Sequence, residues 1–302
     1  MNILLLGPGK MGEPMAELLL AAGKRVEVLQ HRNPEPVKRL VSHGASKVED
    51  LQTSAARADV VFCVLPNLTE INEILFENDV AGAMKKGSLF LSMSTVSPSG
   101  IQKTMKRLTD AGIETLDAPV SGGTAKAADG TLTIMAGGER ATFDTYFSLL
   151  QILGESIHYT GGIGTGQVVK LCNNLLAAII MTANAEILTL GVKAGANAKQ
   201  IQEIVLQSTG SNRLLDDWIS KTMLQNQYEP GFALRLMDKD IDLALGLARS
   251  TQTPAFLGGI IQQLFGTLMG KSESNLDYSV ISTVYQQAAG IRISDGQPYV
   301  KE

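Results

Sequence analysis

The sequence has few of the residues that hold metals or form disulfides. Only two cysteines, Cys63 and Cys172, occur among 302 residues, and each lies inside an apolar run. The three histidines, His31, His43 and His158, are scattered along the chain. Because neither the number nor the spacing of these residues fits a disulfide framework or a zinc site, we predict no dedicated metal site.

The chain also has little excess of either charge. Its formal net charge at pH 7 is −4, from 26 Lys and Arg residues against 30 Asp and Glu residues. This balance offers no general attraction to nucleic acid or to an anionic membrane. We therefore expect neither as a partner, and an anionic ligand has to be held by local cations.

Long hydrophobic runs and targeting signals are scarce as well. The longest uncharged apolar stretch, residues 171–185, is shorter than a membrane span and contains three asparagines and a threonine. The chain enters a strand-like run at Asn2 with no basic segment before it, so no signal peptide is expected. These features predict a cytoplasmic protein in which residues 171–185 form part of a buried helix.

The first half of the chain alternates strand-like and helical segments. The strand-like segments are, in order, NILLL, RVEVL, DVVFCVLP, GSLFLSM, IETLDAPV, TLTIMAGG and SIHYT. Between the first two, EPMAELLLAAG has helical spacing. Such alternation is typical of βαβ units, so we predict a parallel sheet covered by helices on both faces.

The pattern changes after residues 160–167, which read TGGIGTGQ. From Val168 onward the apolar positions recur at helical spacing and few strand signals appear. A helix from about Gly166 to about Ala194 would be roughly 40 Å long, enough to leave one domain and form the backbone of the next. We predict an α/β domain over residues 1–163 and an all-helical domain over residues 164–302, joined by this helix and closely packed, with a cleft between them.

A glycine-rich turn follows the first strand. Residues 7–12, GPGKMG, match GxGxxG between a strand and a helix. In this motif the first glycine permits the tight turn, the second lets the backbone approach a pyrophosphate, and the third permits close packing of the helix on the strand. The helix N-terminus adds N–H groups and a favourable dipole. We predict dinucleotide binding, with a purely structural turn as the alternative; the binding residues would be Gly7, Pro8, Gly9, Lys10, Met11 and Gly12.

The end of the second strand indicates which dinucleotide binds. An acidic residue there would accept hydrogen bonds from the adenosine ribose, whereas an arginine would accommodate a 2′-phosphate. This sequence has VLQHRNPE, with no carboxylate before Glu35. We predict that NADP(H) is preferred over NAD(H), the alternative being that Arg32 is a solvated loop residue. The predicted cofactor contacts in this region are His31, Arg32 and Asn33 and, after the third strand, Leu65 and Pro66.

The long helix begins with polar groups on one face. Within GTGQVVKLCNN, residues 164–174, Lys170 and Asn174 are four apart and Asn173 is three from the lysine. A lysine and two amides are costly on an otherwise apolar helix unless they line a polar cavity. The alternative is a helix-end lysine that reaches solvent beside two core-capping asparagines.

Four separated stretches of the sequence resemble the β-hydroxyacid dehydrogenase family, which includes 3-hydroxyisobutyrate dehydrogenase and tartronate semialdehyde reductase. They are GPGKMGEPMA at 7–16, DAPVSGG at 117–123, GTGQVVKLCNN at 164–174 and DKDIDLAL at 238–245. Their order and spacing cover nearly the whole chain. The resemblance implies an N-terminal Rossmann domain, a C-terminal all-α domain, and NAD(P)-dependent oxidation of a short hydroxy acid.

The resemblance also implies roles for single residues. Lys170 matches the family's catalytic lysine, which acts as general acid and base, and Asn174 matches its substrate-binding amide. Thr95, in MSTVSP, matches a residue at the nicotinamide ribose, and Lys239 matches a lysine near the nicotinamide and the substrate. Helical spacing alone places Lys239 opposite an apolar stripe, on a face that is either solvent or the cleft; the resemblance favours the cleft.

The SGG sequence at residues 121–123 matches the family's substrate-anchoring loop. The backbone N–H groups of Gly122 and Gly123, with the Ser121 hydroxyl, can form a nest for a carboxylate. A side chain at either glycine would intrude on that approach. We therefore expect a small substrate that carries a carboxylate; a merely flexible turn is the alternative.

Two other functions and several substrates remain open at this stage. An imine reductase on the same scaffold would fit better with an aspartate or tyrosine in place of Lys170. A non-catalytic NADP(H)-binding module would have little need of Lys170, Asn174 and the SGG loop. Candidate substrates are hydroxyisobutyrate, glycerate with tartronate semialdehyde, serine, 4-hydroxybutyrate with succinic semialdehyde, and a hydroxymethyl dicarboxylate.

The C-terminal half keeps long apolar runs, such as TPAFLGGIIQQLFGTLMG at residues 253–270. One small helical domain buries less apolar surface than these runs present. We therefore predict a homodimer or homotetramer formed through this half, as the family resemblance also implies.

Overall fold

The computed structural model describes residues 1–31, 33–270 and 272–299. The chain divides into a first unit, Met1–Lys170, and a second unit, Leu171–Glu302. The division of the chain into functional domains at residues 163 and 164 stays a prediction.

One sheet forms the centre of the first unit. Its strands in the described residues are β1 (Asn2–Leu6), β2 (Arg25–Val28), β3 (Ser46–Lys47), β4 (Val60–Cys63), β5 (Leu89–Ser92), β6 (Glu114–Asp117), β7 (Val120–Ser121), β8 (Leu132–Gly138) and β9 (Gly154–Gly161). All the segments predicted as strands contain one. The two-residue strands β3 and β7 are too short to give a periodic signal in the sequence.

The order of the strands is β3-β2-β1-β4-β5-β6-β8-β7, with β9 also paired to β8. From β3 to β6 every pair is parallel, in the order of the Rossmann fold. The prediction of a parallel sheet is wrong at the other edge, where β8 runs antiparallel to β6 and β7. The connection from β7 to β8, residues 122–131, is shorter than the dozen or more residues that a parallel crossover needs.

Helices cover both faces of this sheet. Those of the first unit are α1 (Gly12–Ala21), α2 (Glu35–Ser42), α3 (Leu51–Arg57), α4 (Leu68–Asn72), α5 (Val80–Ala83), α6 (Pro98–Asp110), α7 (Gly123–Asp129) and α8 (Arg140–Leu150), with a π-helical turn at Glu73–Glu77. In β1, Ile3 and Leu5 belong to one buried cluster and Leu4 and Leu6 to another. Because successive side chains of a strand point to opposite faces, this strand is apolar throughout and buried on both sides.

The helix predicted from about residue 166 to about residue 194 is confirmed as α9 (Thr165–Lys193). It begins in the first unit and continues in the second. By length and composition alone α9 could cross a membrane, with a mean hydropathy of 1.8 in its most apolar window. Within the second unit it contributes buried side chains to the helical core: Ala178, Met181, Ala185 and Leu188.

The described residues of the second unit contain helices and two isolated bridges but no strand. After α9 the helices are α10 (Ala198–Leu206), α11 (Leu234–Ser250), α12 (Phe256–Gly266) and α13 (Ser282–Ala289). Shorter turns of π or 3₁₀ helix lie at Leu214–Trp218, Ile219–Lys221, Met223–Gln225, Ser272–Asn275 and Tyr278–Ile281. The predicted combination of a Rossmann domain with an all-α domain, joined by a long helix, is therefore confirmed.

A buried carboxylate organises the loops of the second unit. Asp277 is fully buried and accepts a hydrogen bond from the Trp218 indole N–H at 2.9 Å. It also accepts backbone N–H groups from Gly231 at 3.1 Å, Phe232 at 3.0 Å and Ser279 at 3.0 Å. Four donors on one carboxylate tie the segments before α11 to those before α13.

Candidate functional site

Two glycines of the turn between β1 and α1, Gly7 and Gly12, are required for steric reasons. Gly7 has a φ of +99°, and a Cβ there would lie 2.3 Å from the carbonyl oxygen of Val64. A Cβ on Gly12 would lie 2.1 Å from the carbonyl oxygen of Gly7. Any side chain at either position would collide with the backbone, so the turn closes tightly against the end of β4.

Gly9 differs from these two glycines, because a Cβ there would meet nothing within 4 Å. The space above the turn is therefore open to a ligand that approaches the backbone. Pro8 is buried, Met11 is half-buried and Lys10 is exposed. Among the described residues no side chain caps α1, so its first N–H groups suit the pyrophosphate of a dinucleotide.

The segment after β2 contains the predicted discriminator of the cofactor. Arg32 lies outside the described residues. His31 and Asn33 are exposed, and the Asn33 side-chain oxygen accepts the backbone N–H of Glu35 at 3.1 Å. The first carboxylate after β2 is that of Glu35, which is paired with Lys38 at 2.8 Å.

The ends of β4 and β5 meet the glycine turn. The backbone N–H of Leu65 donates to the Ser94 hydroxyl at 2.8 Å, and the Leu65 side chain lies 3.2 Å from a Cβ placed on Gly7. Pro66 is exposed and Thr95 is half-buried. The structure thus brings three of the predicted cofactor segments to the carboxyl ends of neighbouring parallel strands, where open α/β sheets bind their ligands.

The segment after β5 is held by a residue that the sequence did not single out. Gln167, on the first turn of α9, is fully buried. Its side-chain oxygen accepts the backbone N–H of Val96 at 3.0 Å, and its side-chain amide donates to the carbonyl of Ser94 at 3.0 Å. The two bonds flank Thr95, the residue that the family resemblance places at the nicotinamide ribose.

The N-terminus of α9 is held by a second residue without a predicted role. Asp117, at the end of β6, is fully buried and accepts the backbone N–H groups of Gly164 at 2.7 Å and Gln167 at 3.2 Å. Burial raises the pKa of the Asp117 carboxyl to about 7, and these N–H groups act in the opposite direction. The positive end of the helix dipole also stabilises the charged form of this carboxyl group.

The SGG loop connects β7 to α7. Ser121 ends the strand, and Gly122 and Gly123 have φ values of +138° and +69°, a region that residues with side chains rarely adopt. A Cβ on Gly122 would lie 2.7 Å from the side chain of Lys126. The backbone itself therefore requires these glycines, and their role in binding a carboxylate stays a prediction.

Lys170 and Asn174 are both buried on α9, with 7 % and 4 % of their surface exposed. The Asn174 amide donates to a carboxylate oxygen of Asp240 at 2.6 Å, and its oxygen accepts from the Asn173 amide at 2.9 Å. Asn173, predicted on the same polar face, is exposed. A lysine at 7 % exposure does not fit the alternative of a solvated helix-end side chain.

Lys239 and Asp240 lie on α11. The Lys239 ammonium is 3.1 Å from the second oxygen of Asp240, and 28 % of the lysine side chain is exposed. Asp240 itself is buried and was not predicted as a site residue. The predicted apolar stripe of this helix is buried at Leu234, Met237, Ile241, Ala244 and Leu245.

The site residues without a predicted role, Gln167, Asp117 and Asp240, share one feature. Each has a side-chain hydrogen bond with a residue at least 47 positions away in the chain. The sequence contained one usable signal, since each is a polar residue inside a motif that carries a predicted site residue. Spacing alone does not identify the partner of such a residue.

Two family profiles together cover most of the chain. Residues 2–161 match the family described as the NAD binding domain of 6-phosphogluconate dehydrogenase. Residues 164–285 match the family described as NAD-binding of NADP-dependent 3-hydroxyisobutyrate dehydrogenase. Both matches agree with a nicotinamide cofactor.

Individual relatives match over nearly their whole length. The chain is 36 % identical to the 2-(hydroxymethyl)glutarate dehydrogenase of Eubacterium barkeri, over 97 % of each chain. It is 36 % identical to a 3-hydroxyisobutyrate dehydrogenase of Pseudomonas aeruginosa, over 94 % of this chain and 98 % of that one. A solved structure of Mycobacterium tuberculosis 3-hydroxyisobutyrate dehydrogenase with L-serine matches with a TM-score of 0.86 and 29 % identity, over 94 % of this chain and 98 % of that one.

These matches extend over both units and all four motifs. They agree with the open glycine turn, the Rossmann strand order and the buried lysine on α9. The chain therefore belongs to the β-hydroxyacid dehydrogenase family and is an NAD(P)-dependent oxidoreductase that acts on the CH–OH group of its donors.

Proposed function

We propose that the protein transfers hydride between a nicotinamide cofactor and a short β-hydroxy acid or its semialdehyde, with Lys170 as the general acid and base. The observation that supports this most is the burial of Lys170 on α9. Three residues earlier on the same helix, Gln167 makes hydrogen bonds to the backbone on both sides of Thr95. A lysine is costly to bury and belongs in a position where its charge or its proton is used.

Each residue of the proposed mechanism has one task. The nicotinamide, when bound, supplies the hydride acceptor or donor. In oxidation, neutral Lys170 accepts the proton of the substrate hydroxyl; in reduction, its ammonium returns that proton to the oxygen. Ser121, Gly122 and Gly123 would hold the substrate carboxylate. Asn174 would orient the substrate through the amide hydrogen that Asp240 does not use.

The proposed substrate class follows from the names of the relatives. 2-(Hydroxymethyl)glutarate, 3-hydroxyisobutyrate and L-serine, named for three of them, all carry a CH₂OH group on the carbon next to a carboxylate. A site that anchors the carboxylate and places a lysine at the hydroxyl would suit this shared group. The substituent on the central carbon would then decide among these substrates.

We further propose that NADPH binds more tightly than NADH. The supporting observation is the absence of a carboxylate from residues 29–34, together with Arg32 in the sequence. Fluorescence titration should give a lower dissociation constant for NADPH, and Arg32→Ala should weaken NADPH chiefly. Equal constants for the two cofactors in the parent protein would overturn this part of the proposal.

The assignment of Lys170 is tested by Lys170→Met, which keeps much of the side-chain volume and removes the proton carrier. With the best substrate of a panel of β-hydroxy acids, kcat should fall by about 10²-fold or more while NADPH binding stays close to that of the parent. Lys193→Met, at the exposed end of the same helix, is the matched control and should leave kcat unchanged. Near-parent kcat in Lys170→Met would refute the mechanism.

We also propose a homodimer or homotetramer that forms through the second unit. Large apolar side chains are exposed there at Leu176, Ile187, Leu190, Ile204, Phe256, Leu257 and Ile260. Between α9 and α10, Ile187, Ile201 and Val205 line an apolar groove of about 440 Å³. Exposed apolar side chains beside an apolar groove are typical of interaction sites, which supports the proposal. A monomer mass by light scattering at micromolar concentration would contradict the proposal.

A further inference from the structure

Gln167 makes a bidentate contact with the backbone on both sides of one residue. Its side-chain oxygen accepts from the N–H of Val96 and its side-chain amide donates to the carbonyl of Ser94, both at 3.0 Å. Thr95 is the residue between them. A backbone segment held at its donor and its acceptor has little freedom to shift or rotate, so Gln167 fixes the conformation of the chain at Thr95.

The first turn of α9 is itself fixed against the sheet. The backbone N–H of Gln167 donates to Asp117 at 3.2 Å, and that of Gly164 donates to the same carboxylate at 2.7 Å. A Cβ on Gly166 would lie 2.2 Å from the carbonyl oxygen of Met135. The helix therefore begins in direct contact with the backbone of β8 and has one position along the sheet.

Lys170 lies three residues after Gln167, about 4.5 Å along a rigid helix. Through Gln167, the segment that contains Thr95 is connected to the element that carries the lysine by two hydrogen bonds and less than one helical turn. All of these contacts lie within the first unit.

We infer that Gln167 is a positioning residue, which sets the distance between the segment at the nicotinamide ribose and the amine of Lys170. This inference rests on the function proposed above for Lys170 and on the place at the nicotinamide ribose that the family resemblance implies for Thr95. Removing the Gln167 amide leaves the N–H of Val96 and the carbonyl of Ser94 without their partners and frees the segment to move. A displacement of about 1 Å in a reacting geometry costs on the order of 10²-fold in rate.

The test replaces Gln167 with methionine, which has a similar length and no hydrogen-bonding amide. The matched control is Gln102→Met. Gln102 also donates its side-chain amide to a backbone carbonyl next to α9, that of Ile163 at 2.9 Å, and this hydrogen bond does not involve residues 94–96. Both variants lose one glutamine amide near the same helix end, and only one of them releases Thr95.

In Gln167→Met, kcat should fall about 10- to 100-fold and the dissociation constant of NADPH should rise about threefold or more. The KM of the hydroxy acid should change less than threefold, because the side-chain hydrogen bonds of Gln167 go to Ser94 and Val96 and not to the SGG loop. Gln102→Met should match the parent in all three quantities. Equal effects of the two variants, or a change in substrate KM alone, would overturn the inference.

A measurement without activity separates this inference from the proposed function. Hydrogen exchange at the Val96 amide should be slow in the parent without cofactor and at least tenfold faster in Gln167→Met, with no change in Gln102→Met. If Lys170→Met keeps its kcat while the exchange of Val96 and the binding of NADPH respond to Gln167→Met, the role of Lys170 fails and the role of Gln167 in holding residues 94–96 stands. If Gln167→Met does not fold, fast exchange of Val96 in the parent would still refute the inference.

Discussion

Asp117 gives the folded protein an unusual dependence on pH, which Asp117→Asn should remove. The carboxyl group is fully buried, it accepts two N–H groups at the start of α9, and its pKa is raised by burial to about 7 from an ordinary value of 3.8. Asparagine has almost the same shape, does not titrate, and can accept through one oxygen only. One of the two N–H groups then loses its acceptor, which costs about 1–3 kcal/mol at every pH.

The size and the sign of the pH effect follow from the two pKa values. Below about pH 4 the carboxyl is protonated in the folded and in the unfolded chain, and the contribution of Asp117 to the free energy of unfolding is fully present. Between pH 4 and pH 7 the unfolded chain releases this proton first, so the free energy of unfolding falls as pH rises. A shift of about three pKa units corresponds to about 4 kcal/mol, which is lost by about pH 8.

The assay is urea unfolding of parent and variant at pH 5, 6, 7 and 8, followed by far-ultraviolet circular dichroism. Other groups titrate in both proteins, so the difference in free energy between them isolates Asp117. The sole tryptophan, Trp218, lies in the second unit, and its fluorescence reports the unfolding of that unit. The stability of the parent relative to Asp117→Asn should decrease steadily over this range.

The control is Asp129→Asn, at an exposed position in the same unit. Its difference from the parent should stay constant with pH within about 0.5 kcal/mol. If the difference for Asp117→Asn were equally constant, or if it grew as the pH rose, the carboxyl would not be protonated in the folded protein near neutral pH. The effect of burial on the pKa of Asp117 would then be outweighed by the two N–H groups that it accepts.

Two further predictions concern the cofactor turn and the core of the second unit. Gly9→Ala should weaken the binding of NADPH about tenfold or more and leave the melting temperature within about 2 °C, because the added Cβ meets no other protein atom. Gly7→Ala should lower the melting temperature instead, since the φ of Gly7 is +99° and the added Cβ would meet the Val64 carbonyl. Titration of NADPH and differential scanning calorimetry distinguish the two. Asp277→Ala should cost about 3 kcal/mol in urea unfolding followed by Trp218 fluorescence, because four donors lose one fully buried acceptor. A loss below about 1 kcal/mol would show that these donors find other partners.

The sequence predicted well what depends on local patterns. The apolar run at residues 2–6 predicts β1, Gly7 predicts the tight turn and Gly12 the close packing of the helix, because strand burial, positive φ and steric contact leave direct marks in residue type. The long helix α9 was predicted to within a residue or two at each end, since its apolar spacing is unbroken. The antiparallel edge of the sheet was not predicted, because the direction of β8 depends on the length of a connection and not on its strand pattern.

The site was predicted only in part, for a related reason. Gly7, Lys170 and Asn174 belong to motifs whose residues are neighbours in the chain. Gln167 and Asp240 act through partners 71 and 66 residues away, at Val96 and Asn174, and no spacing rule connects such pairs. Their residue types alone fitted equally well with a solvated helix face, and only the fold distinguishes the two interpretations.

Lys170 lies on α9 between two buried polar residues, Gln167 and Asn174, which are each fixed by hydrogen bonds. Gln167, Lys170 and Asn174 recur at spacings of three and four, which places them on one stripe of the helix. Gln167 is fixed by contacts within the first unit, and Asn174 by Asp240 within the second. Rotation of the first turn of α9 about the helix axis would break the bonds of Gln167, and rotation of the helix at Asn174 would break its bond to Asp240. These bonds fix the backbone of α9 three residues before and four residues after Lys170, and with it the direction in which the Cα–Cβ bond of the lysine leaves the helix.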